Sequence, residues 1–330
     1  MILSFLLLAA AGAAPGPAPA AAPGEIKTFR DWTVGCDNGR ACQAVGLMPE
    51  NDMEAATAAV SRSAEPGAAP VAWLNVREGT PAAAIVDGRR FPLRPSPADA
   101  GFRPADAAAF VAALAAGRSA AVTDAAGKKL GALSVAGLSA ALLYMDEKQG
   151  RLGTVTALVR KGPAPASAVP PAPALPVIVS APASSKPARR PTPAQIKSAR
   201  AGNACDDPSA EQPPQASRLD AATTLVLVPL ACGSGAYNFL SIPLLLDESG
   251  KARPVKLVPG EEAGLYNAEW DAKARRLGTY MKGRGLGDCG TTQTFAWDGS
   301  RFRLAEQTEM GECRGSLDYI TTWRARVVQR

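Results

Sequence analysis

Residues 223–246 read TTLVLVPLACGSGAYNFLSIPLLL and are followed at residues 247–250 by DESG. This stretch holds two apolar runs of strand length, 223–230 and 239–246, and its polar turn leads into a third run at 254–258. Further strand-like runs follow at 276–281, 292–297, 301–305 and 321–328, separated by tight turns. We therefore predict an antiparallel β-meander over 203–330, built as a sandwich or as a partial barrel or propeller.

Ahead of this region, residues 162–186 read GPAPASAVPPAPALPVIVSAPASSK. Such proline density excludes a helix and favours an extended chain. Residues 176–179 are apolar and can dock as a strand, and Thr192-Pro193 supplies an N-cap followed by proline at the first helical position. We predict a Pro/Ala-rich linker over 162–202 that ends in a short helix reaching about Ala201.

The remaining region, 25–161, predicts a β-rich domain with two helices. A helix over 104–116 begins with a proline and stops at Gly117, and a second over 138–148 places Leu138, Leu142 and Met145 on one stripe. Strands are predicted at 29–34, 41–47, 72–76, 82–86, 120–123 and 154–159. The expected fold class is thus mainly β (α+β), in two domains.

The first twenty residues, MILSFLLLAAAGAAPGPAPA, predict a signal peptide over 1–20. The apolar run is shorter than the roughly 20 residues that span a bilayer, and small-residue triplets such as Ala18-Pro19-Ala20 follow it. No cysteine follows at once, so a lipid anchor is not expected, and no later stretch could cross a membrane. We expect a soluble periplasmic protein.

Six cysteines, an even number, agree with export to an oxidising compartment. Six cysteines allow fifteen pairings, of which proximity along the chain favours Cys36–Cys42, Cys205–Cys232 and Cys289–Cys313. Six free buried thiols in a cytosolic protein would be the alternative.

The net charge of +6 is mostly a property of the linker. Residues 162–199 hold 4 basic and no acidic residues, whereas 25–161 hold 16 basic against 14 acidic and 200–330 hold 16 against 16. A nucleic-acid binder places its basic residues on a folded face. We therefore expect no nucleic-acid partner.

Several segments together resemble a known family. FRDWTVGCDNGRACQAVG at 29–46, CGSGAYN at 232–238, GRGLGDCG at 283–290, FAWDGSRFRL at 295–304 and GECRG at 311–315 resemble the family catalogued as domain of unknown function 1176. The likeness covers nearly the whole chain and implies a periplasmic protein of Gram-negative bacteria. The first domain is also loosely similar to invasion-associated locus B proteins. Neither resemblance implies a reaction or catalytic residues.

The chain contains no histidine, which excludes hydrolysis with a histidine base and histidine-ligated zinc. No Walker loop is present, and GRGLGDCG lacks the glycine spacing of a dinucleotide fingerprint. We expect no cofactor, no metal and no catalytic residue. A pair of carboxylates for glycoside hydrolysis stays possible, with Asp288 and Glu312 brought close by a Cys289–Cys313 bond, although Arg284 and Arg314 favour ordinary salt bridges.

Two glycine-rich loops are the candidate site. Residues 283–290 hold four glycines, whose amides could converge on an anion with Arg284 as the charged partner. Residues 232–238 end in Tyr237 and Asn238, which can hydrogen-bond a ligand. The candidate ligand-binding residues are therefore Arg284, Asp288, Tyr237 and Asn238. The alternative is that both loops are structural, a tight turn beside a disulfide and a bulge with a buried tyrosine.

These observations favour a non-catalytic protein that binds a ligand or protein of the cell envelope. Two alternatives stay open: a carboxylate-dependent glycan or peptidoglycan hydrolase, and a protein inhibitor or adhesin-like module. The sequence does not indicate an oligomeric state.

Overall fold

The structure is a computed structural model that describes residues 22–50, 52, 56–94, 100–201, 212–231, 234–255, 257, 264–316 and 318–329. It is mainly β, with three α-helices and five sheets in the described residues, as the sequence predicts. The predicted signal peptide, Cys205 and Cys232 lie outside the described residues. Among the described helices, none combines the length and the apolar character needed to span a membrane.

The N-terminal half is built on a six-stranded antiparallel sheet. Its strands, in spatial order, are β1 (Ile26–Phe29), β2 (Trp32–Cys36), β3 (Cys42–Gly46), β4 (Thr57–Arg62), β5 (Val71–Asn75) and β8 (Ala100–Gly101). The predicted single strand at 29–34 is wrong, because Arg30, with φ 57°, turns the chain and pairs Phe29 with Trp32.

A second sheet and two helices cover one face of this sheet. The sheet runs β10 (Lys129–Leu133), β9 (Ala120–Thr123), β6 (Ala83–Val86) and β7 (Arg89–Pro92), and the helices are α1 (Pro104–Ala116) and α2 (Leu138–Lys148). Trp32, Phe110, Leu114, Leu142 and Met145 are fully buried in the shared core. Both helices have the predicted bounds because their stripes and end signals are local.

Residues 154–159 do not form the predicted strand. Thr154 makes an isolated bridge with Ala164, and the amides of Leu158 and Val159 donate to the Asp146 carboxylate at 2.8–3.0 Å. A buried carboxylate thus takes the hydrogen bonds that a neighbouring strand would have supplied.

The C-terminal half stacks two antiparallel sheets. The first sheet contains, in spatial order, β12 (Gln215–Arg218), β13 (Thr224–Leu230), β14 (Leu240–Leu246) and β15 (Ala252–Pro254), and β16 (Leu265–Tyr266) also pairs with β14. The second sheet contains, in spatial order, β17 (Glu269–Asp271), β18 (Arg276–Lys282), β19 (Gly290–Trp297), β20 (Phe302–Met310) and β21 (Ile320–Arg324). Leu227 and Leu245 of the first sheet share one apolar cluster with Leu277, Phe295 and Trp297 of the second. Of the predicted architectures this is the sandwich; no described sheet closes into a barrel.

The proline-rich segment runs along the surface of both halves. Arg40 donates to the carbonyl oxygens of Pro170 and Pro171, and β11 (Val177–Ser180) pairs in parallel with β22 (Arg326–Gln329). A 3₁₀ turn, Ala166–Ala168, and the helix α3 (Pro193–Arg200) complete it. In α3, Thr192 and Gln195 form a capping box, and the helix covers the outer face of β13 and β14.

The two halves pack directly against each other. The second face of the N-terminal sheet meets β21, where Val45, Leu47 and Ala59 share a buried cluster with Met310 and Ile320. The Asp31 carboxylate accepts from Arg314 at 2.5 Å, and the Trp73 indole donates to Asp318 at 3.0 Å. The junction therefore combines an apolar centre with polar contacts around it.

Candidate functional site

The glycine-rich segment 283–290 joins β18 to β19 as a hairpin loop. The Gly283 amide donates to the Cys289 carbonyl at 2.8 Å, and the Cys289–Cys313 disulfide fastens the loop to the segment before β21. Gly290 has φ 140°, and a Cβ there would lie 2.2 Å from the Met281 carbonyl oxygen. The loop thus needs glycine at this position for a close backbone approach. The other described disulfide, Cys36–Cys42, joins β2 to β3. Both follow the pairing that proximity along the chain favours.

Arg284 and Asp288 pair with each other inside the loop. The Arg284 Nε donates to Asp288 Oδ1 at 2.7 Å and a terminal nitrogen donates to Oδ2, while the Gly315 amide donates to Oδ2 at 2.8 Å. Asp288 is 2% exposed. The hydrogen bonds from Arg284 lower the pKa of Asp288 and outweigh burial, which raises it, so the carboxylate is ionised at neutral pH. The Arg284 fork, which the sequence suggested as an anion clamp, is thus occupied by an anion of the chain itself.

Two tyrosine hydroxyls hydrogen-bond the backbone of the loop. The hydroxyls of Tyr280 and Tyr319 lie 2.8 Å apart, and both contact the Gly287 carbonyl oxygen, at 2.8 and 3.1 Å. Burial raises the pKa of Tyr319, and the hydrogen bond with Tyr280 raises it further, so the phenol stays protonated. The sequence analysis missed this pair; the only signal was a tyrosine on either side of the loop.

Asn238 fixes the neighbouring segment to the base of the loop. Its Nδ2 donates to the Lys282 carbonyl at 2.9 Å and its Oδ1 accepts from the Lys282 amide at 3.0 Å. Asn267, also missed, donates to the carbonyl oxygens of Tyr280 at 2.7 Å and Tyr237 at 3.2 Å. The Asn238 side-chain amide therefore has a structural role, because both of its polar atoms bond the Lys282 backbone.

Tyr237 lies against the loop itself. A Cβ placed at Gly285 would be 3.4 Å from Tyr237 Cδ1, so the ring contacts the loop backbone. The structure thus brings Tyr237, Asn238, Arg284 and Asp288 to one end of the C-terminal sandwich, as one constellation from two loops.

The same end carries unusually exposed apolar side chains. Leu286, Phe239 and Met281 are 71%, 61% and 56% exposed, the three highest values among the large apolar residues of the described chain. Leu286 lies in the loop itself, Met281 lies in β18 just before it, and Phe239 follows Asn238, whose side chain bonds the Lys282 backbone, so the three residues belong to the same end of the sandwich. We call Tyr237, Phe239, Met281 and Leu286 the loop face. Apolar exposure of this kind is typical of interaction surfaces.

Comparison with known proteins places most of the chain in one family. The model of the family described as "Protein of unknown function (DUF1176)" matches residues 26–326. The chain belongs to this family. It is also 30% identical, over 93% of its own length and 94% of the relative's, to the Uncharacterized protein YpfG of Escherichia coli (strain K12). No solved structure matches the chain. Membership in this family thus agrees with the resemblance seen in the sequence and assigns no activity.

Two carboxylates also line a cleft at the end of the C-terminal sandwich opposite the 283–290 loop. Asp220 and Asp298 border a space of about 640 Å³ next to β11. Asp220 accepts from the Trp297 indole at 2.6 Å and the Ala222 amide at 2.8 Å. Burial raises the pKa of Asp298, but hydrogen bonds from Arg301 and Ser300 outweigh it and the net pKa is lowered. A glycosidase acid needs a raised pKa, which neither Asp298 nor Asp288 has.

Among the described residues, no group of three or more acidic residues or cysteines is placed to hold a metal ion. Glu312 precedes Cys313 in the chain, whereas Asp288 pairs with Arg284 and Arg314 pairs with Asp31. The Arg284–Asp288 pair is an ordinary salt bridge of the kind expected in place of a catalytic pair, whereas the Arg314–Asp31 pair was not expected.

Proposed function

We propose that this protein is exported to the periplasm and acts there by binding a protein partner through the loop face, without catalysis. The observation that carries the proposal is that the three most exposed large apolar side chains of the described residues all belong to one end of the C-terminal sandwich, at and beside a fastened loop. The apolar leader at 1–20 and the two disulfides support export, because disulfides persist in oxidising compartments.

The side chains of the loop face suit a protein interface. Tyrosine, phenylalanine and methionine are enriched at such interfaces, and apolar anchors in a central position supply most of the binding free energy. Lys282 follows Met281 and Arg284 comes two residues before Leu286, and charges at the rim of an interface contribute mainly to the association rate.

The backbone that carries the loop face is preorganised by hydrogen bonds within the chain. The Arg284–Asp288 pair, the tyrosine hydroxyls on Gly287 and the Asn238 bonds to Lys282 restrict the loop from three sides. A preorganised surface loses less conformational entropy on binding. Arg284, Asp288 and Asn238 thus act as positioning residues in this proposal, and Leu286 and Phe239 make the contact.

Photo-crosslinking in living cells tests the proposal. We would place p-benzoylphenylalanine at Leu286, at Phe239 and, as a matched control, at Val71, which is 55% exposed in the N-terminal half. We expect a discrete crosslinked species in the periplasmic fraction from positions 286 and 239 and none from 71. With p-benzoylphenylalanine placed at Met281 in a further variant, a Phe239→Ser/Leu286→Ser double substitution should abolish the crosslink from position 281 while leaving the melting temperature within about 2 °C of the unsubstituted protein.

Two results would overturn the proposal. Equal crosslinking from positions 286, 239 and 71 would show nonspecific contact. A cytoplasmic location of the uncleaved chain would exclude a periplasmic function. A discrete adduct that contains glycan instead of protein would favour binding of an envelope ligand over binding of a protein partner.

A further inference from the structure

A second cleft lies where the two halves of the molecule meet. It encloses about 410 Å³ between β3 and β4 on one side and β21 on the other. Ala172, Pro173 and Leu175 of the proline-rich segment form a third wall. It shares no residue with the loop face. We call this space the junction cleft.

Three polar side chains in the junction cleft have no hydrogen bond to the described part of the chain. They are Gln43 on β3, Ser61 on β4 and Thr321 on β21, all half-buried. Gln43 and Ser61 are directly paired across the two strands, so their side chains lie side by side. Polar side chains on the neighbouring C-terminal sheet instead bond each other, as in Thr292–Thr308 at 2.7 Å and Gln293–Gln307 at 2.8 Å.

Arg324 presents a free guanidinium edge to the same space. Its Nε donates to Asp37, which is 5% exposed and also accepts from the amides of Gly39 at 2.8 Å and Ala41 at 2.9 Å. The Arg324 backbone is held in addition by the Asn38 side chain, at 2.8 and 2.9 Å. The two terminal nitrogens have no partner among the described residues, and the side chain is 42% exposed. The guanidinium is therefore fixed at one nitrogen and open at the other two.

The positive charge of Arg324 reaches an acidic group at the rim of the cleft. Glu65 lies there, fully exposed, and its pKa is lowered first by the Ser63 hydroxyl and further by the charges of Arg324 and Arg151. A carboxylate carried by a ligand and placed closer to Arg324 experiences the same attraction with less solvent around it.

From this arrangement we infer that the junction cleft binds a small carboxylate that also carries hydroxyl or amide groups, such as a sugar acid or an acylated amino acid. The free edge of Arg324 matches the two oxygens of a carboxylate. Gln43, Ser61 and Thr321 supply donors and acceptors for the rest of the molecule, and Pro173 and Leu175 supply an apolar wall. The volume is in the range of small-ligand sites, which are common between domains.

Titrations of the ¹⁵N-labelled, oxidised protein test this inference. The probes are D-galacturonate and N-acetyl-alanine, each matched with an uncharged counterpart, D-galactose and N-acetyl-alanine amide. We expect at least one carboxylate to shift the Gln43 side-chain amide resonances with a Kd below about 1 mM, and its counterpart to bind at least tenfold more weakly, as expected when a charge-assisted contact is lost.

Substitutions separate binding from folding. Ser61→Ala and Thr321→Val remove groups that bond nothing within the described chain, so each should weaken binding at least threefold without lowering the melting temperature. Thr291→Val, in another strand, is the matched control and should change neither. Arg324→Lys keeps the charge but loses the planar edge, and should weaken carboxylate binding at least fivefold.

The inference fails if neither carboxylate shifts the Gln43 resonances at 20 times the stated Kd, or if charged and uncharged probes bind equally. It also fails if Thr291→Val weakens binding as much as Thr321→Val. None of these outcomes bears on the loop face, whose crosslinking is read separately.

Discussion

Each half of the molecule contains an arginine–aspartate pair, and the two pairs differ in their surroundings. In the N-terminal half Arg62 donates to Asp146 at 2.6 Å, and both side chains are fully buried. In the C-terminal loop Asp288 is buried, but the Arg284 side chain is 37% exposed. The same chemistry thus fixes an interior in one region and supports a surface loop in the other.

The N-terminal pair belongs to a larger buried network. Gln149 Oε1 accepts from Arg62 at 2.7 Å and from Arg151 at 3.1 Å, and Arg151 also donates to the carbonyl oxygens of Pro66 and Glu65. Burial lowers the pKa of Arg151 to about 10, and the neighbouring charge of Arg62 contributes. The two arginines thus share one glutamine oxygen while Arg62 alone contacts the aspartate, and every carbonyl that they reach compensates part of the cost of burial.

The comparison predicts that breaking the buried pair has the largest effect. Asp146→Ala leaves Arg62 charged and unpaired in the interior and frees the amides of Leu158 and Val159. We expect a loss of about 3–5 kcal/mol in the free energy of unfolding, measured by urea denaturation. Glu147→Ala, on the exposed side of the same helix, is the control and should change stability by less than about 0.5 kcal/mol. A loss below about 1 kcal/mol for Asp146→Ala would contradict the assignment.

Breaking the loop pair should cost less. Arg284→Ala removes two hydrogen bonds from Asp288 but leaves the Gly315 amide, and water can reach the exposed edge of the arginine site. We expect a loss of about 1–2 kcal/mol in the same measurement. Arg301→Ala, an exposed arginine of the next hairpin, serves as control. An unchanged free energy of unfolding for Arg284→Ala would contradict the structural role of the pair and favour the anion-binding role that the sequence suggested.

The pH dependence of stability is the smallest and most specific effect. The folded state lowers the pKa of Asp288, so its contribution is present above the unfolded pKa of about 3.9 and is lost as the pH falls through the folded value. Asp288→Asn should therefore flatten the decline in stability between about pH 4 and pH 2, measured by thermal unfolding at each pH. Glu147→Gln provides the matched control, and an identical slope in Asp288→Asn and the unsubstituted protein would rule out this linkage.

The difference between the two pairs also separates stability from function. A residue such as Asp146, enclosed on all sides, can only hold the fold. Leu286, in the fastened loop, and Phe239, in the neighbouring segment, are exposed, so they can be substituted with little effect on folding and a large effect on contact. The same holds for Thr321 and Ser61 in the junction cleft. Stability measurements and binding measurements should therefore respond to different sets of substitutions.

Local features of the sequence determined much of the fold. The helices α1 and α2 follow apolar stripes with proline or glycine at their ends, and α3 follows the Thr192-Pro193 signal. The strand β11 lies within one residue of its predicted bounds, and Cys36–Cys42 and Cys289–Cys313 join cysteines that are 6 and 24 residues apart. These features were predictable because the interactions that specify them act between neighbours along the chain.

Tertiary structure alone decided which distant residues meet. Arg62 lies 84 residues from Asp146, and Arg314 lies 283 residues from Asp31, so no spacing or periodicity connects them. The strand predicted at 154–159 was lost to a carboxylate on another element, and the cleft group of Gln43, Ser61, Thr321 and Arg324 forms only when the halves dock. Hence the sequence determined the β class, the helices, the turns and the two described disulfides, whereas packing between the halves decided where charges are buried and where polar groups stay free. The physical reason is that burial and pairing of polar groups depend on the whole set of neighbours, which is fixed only when the sheets come together.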